Sequence, residues 1–150
     1  ESRIKMSSIE HGSNIDESSL RQRIDCKVHE IKQITPTVKL FCLQAPPNTV
    51  YRFYPGQWID LFLPRHIQNE RFANATKIPI GGYSMISNPD TCEQSGIIEF
   101  AIKRTEIGHP VTSWVTTEAK VGDIVPIDGP QGKFFFTKDS FPAVKNVVLI

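Results

Sequence analysis

Cysteine is scarce: the chain has 3 in 150 residues, at Cys26, Cys42 and Cys92. Odd in number and far apart, they argue against the disulfide frameworks that staple small secreted domains. No Cys-x-x-Cys and no Cys/His pair stands at metal-ligand spacing, so a zinc site is not indicated. In their strand-like segments Cys26 and Cys42 read as small apolar residues. Long apolar runs are lacking as well, and none approaches the ~20 residues that a membrane-spanning helix needs. Residues 1–19 have no charged-then-apolar layout of a secretory signal. An excess of one charge is also missing: 17 Lys and Arg stand against 16 Asp and Glu, a net charge of +1. Such a balance gives little general attraction for nucleic acid. There is no internal repeat and no low-complexity tract. No nucleophile–base pair or carboxylate pair stands out, which leaves hydrolysis and acyl transfer without support. A ligand must therefore be held by a shaped site, and any catalysis belongs to a cofactor.

What is present is a β-rich chain. Hydrophobic residues make up 39% and charged residues 22%, enough for one domain with its own core. Residues 1–21 mix Ser, Glu, Asp and Gly without a period and read as a flexible arm. From there to 137, short runs alternate with Pro, Gly and Asn. Cys26–Ile31, Val38–Leu43, Trp58–Leu63, Tyr83–Ser87, Ile97–Lys103, Ile124–Ile127 and Phe134–Phe136 read as strands. Val38, Leu40 and Cys42 share one face. Thr35-Pro36-Thr37 and Gly129-Pro130-Gln131-Gly132 read as turns, Arg65 to Lys77 as a basic surface loop. Val111 to Ala119, with Val111, Trp114 and Val115 at helical offsets, is the one helix expected. Six or seven strands at this spacing predict an all-β fold, a six-stranded antiparallel Greek-key barrel with one short helix. Residues 138–150 differ. Lys145-Asn146-Val147-Val148-Leu149-Ile150 is a continuous apolar run, as in the first strand of a parallel sheet, and predicts the start of a truncated α/β nucleotide-binding domain.

Three segments, in order, resemble the flavin-binding barrel of the ferredoxin–NADP reductase family. Tyr54-Pro55-Gly56-Gln57-Trp58-Ile59-Asp60-Leu61 is similar to that family's Pro-Gly-Gln entry to its third strand. Gly81-Gly82-Tyr83-Ser84 stands at the place of its Arg-x-Tyr-Ser/Thr flavin motif. Val121-Gly122-Asp123, followed by Gly129-Pro130-Gln131-Gly132-Lys133-Phe134, resembles its barrel-closing strands. The resemblance covers roughly Arg23 to Ile150. It implies FAD as cofactor, with FMN the lesser alternative, and NAD(P)H bound by a second domain in the full-length protein. It further implies electron transfer to an acceptor that the sequence does not name. A mitochondrial setting is implied by the resemblance only.

The resemblance also distributes roles. Tyr83 would stack on the isoalloxazine ring, and Ser84, the candidate catalytic residue, would hydrogen-bond the ring edge. Gly81 and Gly82 would let backbone amides approach the phosphate, although Gly81 stands where the family has an arginine. Pro110, Val111 and Thr112, after His109, would open a helix onto the pyrophosphate. Ala101 and Lys103 would line the cofactor, and Arg104 could supply the charge missing at Gly81. Each residue also has a plainer reading: a strand aromatic, a turn serine, an N-cap without ligand, a solvated lysine. Trp58 reads most simply as core, and Phe134–Phe136 as barrel closure. Two other functions stay open. One is a barrel without flavin that serves as a binding or docking module, which Gly81 and His109 keep alive. The other, an oligonucleotide-binding barrel, would need a basic, aromatic-studded face.

Overall fold

Strands form where β-branched and aromatic residues alternate with polar ones. The computed structural model describes residues 20–105 and 108–135. It contains β1 (Gln22–Thr35), β2 (Val38–Gln44), β3 (Trp58–Phe62), β4 (Ile80–Ser84), β5 (Ile97–Lys103) and β6 (Ile124–Gln131). They make one sheet of order β4-β3-β6-β1-β2-β5, antiparallel at every pairing. The last strand, β6, inserts between β1 and β3, a Greek-key path. The all-β class expected from the sequence is thus the one observed. The expected arm at 1–21 falls almost wholly outside the described residues, and the expected second-domain start at 138–150 falls wholly outside.

Period-2 alternation puts the core on the inner face. Val28, Phe41, Leu43, Ile59, Leu61, Ile98, Val125 and Ile127 are all fully buried there. Val38, Leu40 and Cys42 do share a face, but it is the outer one, because Phe41 and Leu43 point inward. Trp58 is likewise half-buried on the outer face, since its neighbours Ile59 and Leu61 take the core. The ends of the sheet, β4 and β5, meet without a ladder. Just past β4, the Ile86 amide donates to the Glu99 carbonyl at 2.9 Å, and the Glu99 amide donates to Ser87 Oγ at 2.7 Å. The barrel is therefore closed at one point and open beyond it.

Three helices accompany the strands, α1 (Arg65–Phe72), α2 (Pro89–Ser95) and α3 (Pro110–Thr117), where one was expected. The stretch expected as a loop carries α1. It is short and polar, anchored by buried Ile67 and by Arg71 on Glu118 of the α3 end. In α2, Asn88 caps the first turn and Gly96 ends the helix in the left-handed region. The expected helix, α3, sends Val111, Trp114 and Val115 into the core. Trp114 meets Phe41 edge to face, with centroids 6.3 Å apart. Two strand readings also change. β4 starts earlier, at Ile80, so Gly81 and Gly82 lie inside it. β6 continues through Gly129-Pro130-Gln131, which is no turn, because Gly129 pairs with Gln22 and Gln131 with Trp58. Phe134 and Phe135 are in no strand, and Phe136 falls outside the described residues. Phe134 is 86% exposed, whereas Phe135 stacks on Tyr54 with centroids 4.8 Å apart.

Candidate functional site

The Pro-Gly-Gln segment works as a joint. Gly56 has φ +101°, and a Cβ there would sit 2.5 Å from the Phe134 carbonyl oxygen. That position is open to glycine alone. Gln57 is 1% exposed. Its Oε1 accepts from the Tyr54 amide at 2.8 Å and its Nε2 donates to the Gly132 carbonyl at 3.2 Å. The Gln57 carbonyl accepts from the Met85 amide at 3.2 Å. One buried amide side chain and its backbone thus tie the start of β3 to the ends of β6 and β4.

On β4 the side chains alternate. Gly81, Tyr83 and Met85 lie on the inner side, while Gly82 and Ser84 are exposed on the outer. Tyr83 is half-buried against the core, and its ring folds back over Gly81. A Cβ at residue 81 would lie 2.6 Å from the ring's Cε2 and 2.7 Å from its hydroxyl oxygen. That hydroxyl meets Thr112 Oγ1 at 2.8 Å, in the first turn of α3. Burial holds the Tyr83 phenol above its ordinary pKa, and the Thr112 bond opposes that rise. It therefore stays protonated at neutral pH. Two segments singled out separately in the sequence are in this way joined across the gap between β4 and α3.

The other nominated residues make no hydrogen bond to the side chains of this pair among the described residues. Pro110 is exposed at the first helical position, and the N-cap residue, His109, makes no side-chain capping bond. The amides of Val111 and Thr112 have no intrahelical acceptor in that first turn, although the Val111 side chain itself is spent on the core. Ala101 and Lys103 are exposed, facing away from the inner Phe100 and Ile102 of β5. Arg104 is exposed, with its amide on the Thr37 carbonyl at 2.7 Å. Ser84 stands across from Trp58. The indole lies close over Gly82 and Gly132, where added Cβ atoms would approach it to 3.5 Å and 2.9 Å. Sequence reasoning missed this outer-face placement of Trp58. The signal was available, since Trp58 is out of phase with the Ile59/Leu61 pair.

The chemistry of this donor set fits a flavin nucleotide in kind. There is a half-buried aromatic ring, three hydroxyls on Tyr83, Ser84 and Thr112, and a helix start with free amides, suited to a planar ring and an anionic phosphate. It departs from the family pattern at Gly81, where a charged anchor is replaced by the Tyr83 ring itself. Nucleophilic thiols are not part of the set. Burial pushes Cys26 up to about 12 and Cys42 and Cys92 to about 11, so all three remain thiols at neutral pH.

Comparison with known proteins bears on the family and the fold. Bovine oxidoreductase NAD-binding domain-containing protein 1 (Bos taurus) is 31% identical over 124 residues, which are 83% of this chain and 35% of that protein. The chain thus spans about a third of the length of that curated relative. Among solved structures, the fold resembles a cytochrome P450 reductase of Amycolatopsis, with a TM-score of 0.61 at 19% identity over 78% of this chain and 30% of that one. It also resembles the cytochrome b5 reductase domain of Ulva prolifera nitrate reductase, with a TM-score of 0.55 at 18% identity over 77% of this chain and 42% of that one. The family profile for the oxidoreductase FAD-binding domain matches residues 25–136. With the match running from Asp25 in β1 through β6 and taking in α3, the chain belongs to the oxidoreductase FAD-binding domain family.

Proposed function

We propose that this chain is the flavin-holding part of an NAD(P)H-dependent oxidoreductase, with FAD seated along the gap between β4 and α3. The observation that carries the placement is the Tyr83–Thr112 bond of 2.8 Å, which brings the two flavin-motif segments to one spot although they are 29 residues apart. The chemistry that FAD supplies when bound is transfer of electrons from a reduced nicotinamide onward to an acceptor. The chain's own residues bind and orient. Tyr83 offers its ring to the isoalloxazine face, and Ser84 offers an exposed hydroxyl to the ring edge. The amides of Val111 and Thr112 face the phosphates at the positive end of α3. Gly82 leaves the backbone of β4 open to close approach, and Ala101 and Lys103 flank the cofactor from β5. FAD is favoured over FMN through the family match of the whole barrel.

The test is a titration of the purified chain with FAD, and in parallel with FMN, followed by flavin fluorescence and absorbance. Saturable quenching with a shifted absorbance band is expected, and Tyr83→Ala should weaken it. Added NADH or NADPH should leave the bound flavin oxidised, because the nicotinamide site is assigned to a second domain. No saturable signal up to high micromolar flavin would overturn the reading, and the docking-module alternative would replace it.

A further inference from the structure

The position of the Tyr83 ring depends on what is absent at residue 81. Both residues are on the inner side of β4, two apart, where successive side chains normally stand side by side. Here the phenol lies back along the strand into the space that a side chain at 81 would fill. A Cβ added to Gly81 would fall 2.6–2.8 Å from three ring atoms, Cε2, Cζ and the hydroxyl oxygen. Real Cβ atoms do not approach other heavy atoms so closely, so a side chain at 81 and this ring position exclude each other. The backbone of Gly81 does not require glycine, since its φ is not among the positive ones. The glycine therefore serves the ring. Thr112 then holds that same hydroxyl end of the phenol, with the two hydroxyl oxygens 2.8 Å apart. Burial leaves the phenol few other partners, as Tyr83 is only partly exposed and packs on the core cluster. The hydroxyl end of the phenol thus lies over the space left at Gly81 and is held there by the Thr112 hydroxyl.

We infer that Gly81, Tyr83 and Thr112 act as one unit, in which Thr112 is a positioning residue that orients the Tyr83 ring and the lack of a side chain at residue 81 leaves the ring its place. The inference rests on the flavin reading for its consequence, since the oriented ring is the face offered to the isoalloxazine. It also gives the departure at Gly81 a meaning. The charged anchor is exchanged for a pre-set aromatic surface, so affinity comes from shape and stacking more than from phosphate charge. A flavin held in this way should bind with shallow dependence on salt. Riboflavin, which carries no phosphate, should then bind within about tenfold of FMN.

Three variants separate this unit from ordinary packing: Gly81→Ala, Thr112→Val and Thr112→Ser. The first readout needs no flavin. The exposure of Tyr83 is followed in the apo chain by alkaline titration of the phenols and by NMR of labelled tyrosine. Gly81→Ala, which displaces the ring, should return the Tyr83 phenol toward ordinary titration. Thr112→Val should change the tyrosine NMR signals and move the phenol further from ordinary titration, because the bond that opposes the rise is gone. Thr112→Ser should leave both as in the parent. The second readout is flavin affinity together with the extent of quenching at saturation. Thr112→Val should weaken FAD by about three- to tenfold, the range for one lost hydrogen bond, with Thr112→Ser restoring it. A melting curve on each variant confirms that it folds. If Gly81→Ala leaves the Tyr83 phenol unchanged in a folded chain, the unit does not exist. If both variants free the ring but FAD binds and quenches as before, the positioning role is overturned while flavin binding stands. If the parent chain binds no flavin at all, the flavin reading fails and takes the positioning role with it.

Discussion

Asp128 lies on the outer side of β6, opposite Asp60 of β3, and two facing carboxylates repel unless something offsets them. Arg21 supplies the offset, with its Nε and Nη2 donating to the two oxygens of Asp128 at 2.7 and 2.9 Å. Gln131 Nε2 donates to Asp60 at 2.8 Å and to the Asp128 carbonyl at 3.0 Å. The Arg21 hydrogen bond holds the Asp128 carboxyl below its ordinary 3.8, against the opposing effect of burial. A carboxylate whose folded pKa is depressed stabilises fully above the unfolded value, and that contribution is lost as pH falls through the folded one. Because the Arg21 side chain is 51% exposed, solvent screening keeps the contribution of the pair small. Asp128→Asn should lower stability only slightly at pH 7. It should also flatten the acid limb of the stability profile below about pH 4. Denaturant melts of both proteins at pH 7 and pH 3 check this, and an unchanged acid limb would show that the pair carries no such linkage. A contact of this kind joins residues 107 apart, so no local pattern in the chain announces it. Tyr83 and Thr112 were legible because each sits in its own recognisable segment. Their bond was not, for the same reason of distance along the chain.

At the scale of elements, strands were read more completely than helices, and the difference is one of burial. β5 buries every second residue, and that alternation is visible in Ile97–Lys103 as written. α1 and α2 each bury a single residue, Ile67 and Cys92. Helices so short and so little buried carry no 3.6-residue apolar period to detect. What holds α2 is its ends. Asn88 Oδ1 accepts from the Asp90 amide at 2.9 Å and from the Thr91 amide at 3.4 Å, Pro89 opens the helix, and Gly96 at φ +69° returns its amide to the Cys92 carbonyl at 2.7 Å. Those signals, Asn-Pro-Asp at the start and Ser-Gly at the end, are present in the sequence between two stretches read as strands. Asn88→Ala should therefore cost about 1 kcal/mol, as loss of an N-cap does. It should shift the urea midpoint without changing the slope of the transition. A midpoint equal to that of the parent would mean that α2 is held by Cys92 packing alone. β6 shows the reverse error. Its Gly129-Pro130 looked like a turn from composition, but long-range pairing with β1 and β3 decides the conformation, and the turn waits until Gly132 at φ +101°.

For the molecule as a whole, what matters is that the sheet does not close on itself. Its ends, β4 and β5, are joined by two hydrogen bonds at one point, Ile86 to Glu99 and Glu99 to Ser87. Beyond that point α3 packs against β2, β4 and β5 in place of further pairing. The sequence foretold strand number and order of motifs, and so the barrel. It could not foretell the opening, which depends on where two strands far apart in the chain stop pairing. The opening is also where Gly81, Tyr83 and Thr112 lie, so the single point of closure sets the width of the proposed flavin seat. Ser87 is the handle on it, since it is buried, 9% exposed, and its hydroxyl accepts the Glu99 amide. Ser87→Ala removes the acceptor and leaves that amide without its partner, at a cost of about 1–2 kcal/mol. Two results should accompany the loss if closure is held there. Hydrogen exchange should quicken at Glu99 and Ile86 more than in the β1–β2 hairpin. Flavin affinity should fall although no residue of the seat has changed. If stability falls but exchange quickens evenly through the sheet, Ser87 contributes only a buried hydrogen bond, and the width of the opening must be set by the packing of Trp114 and Val115 beneath it.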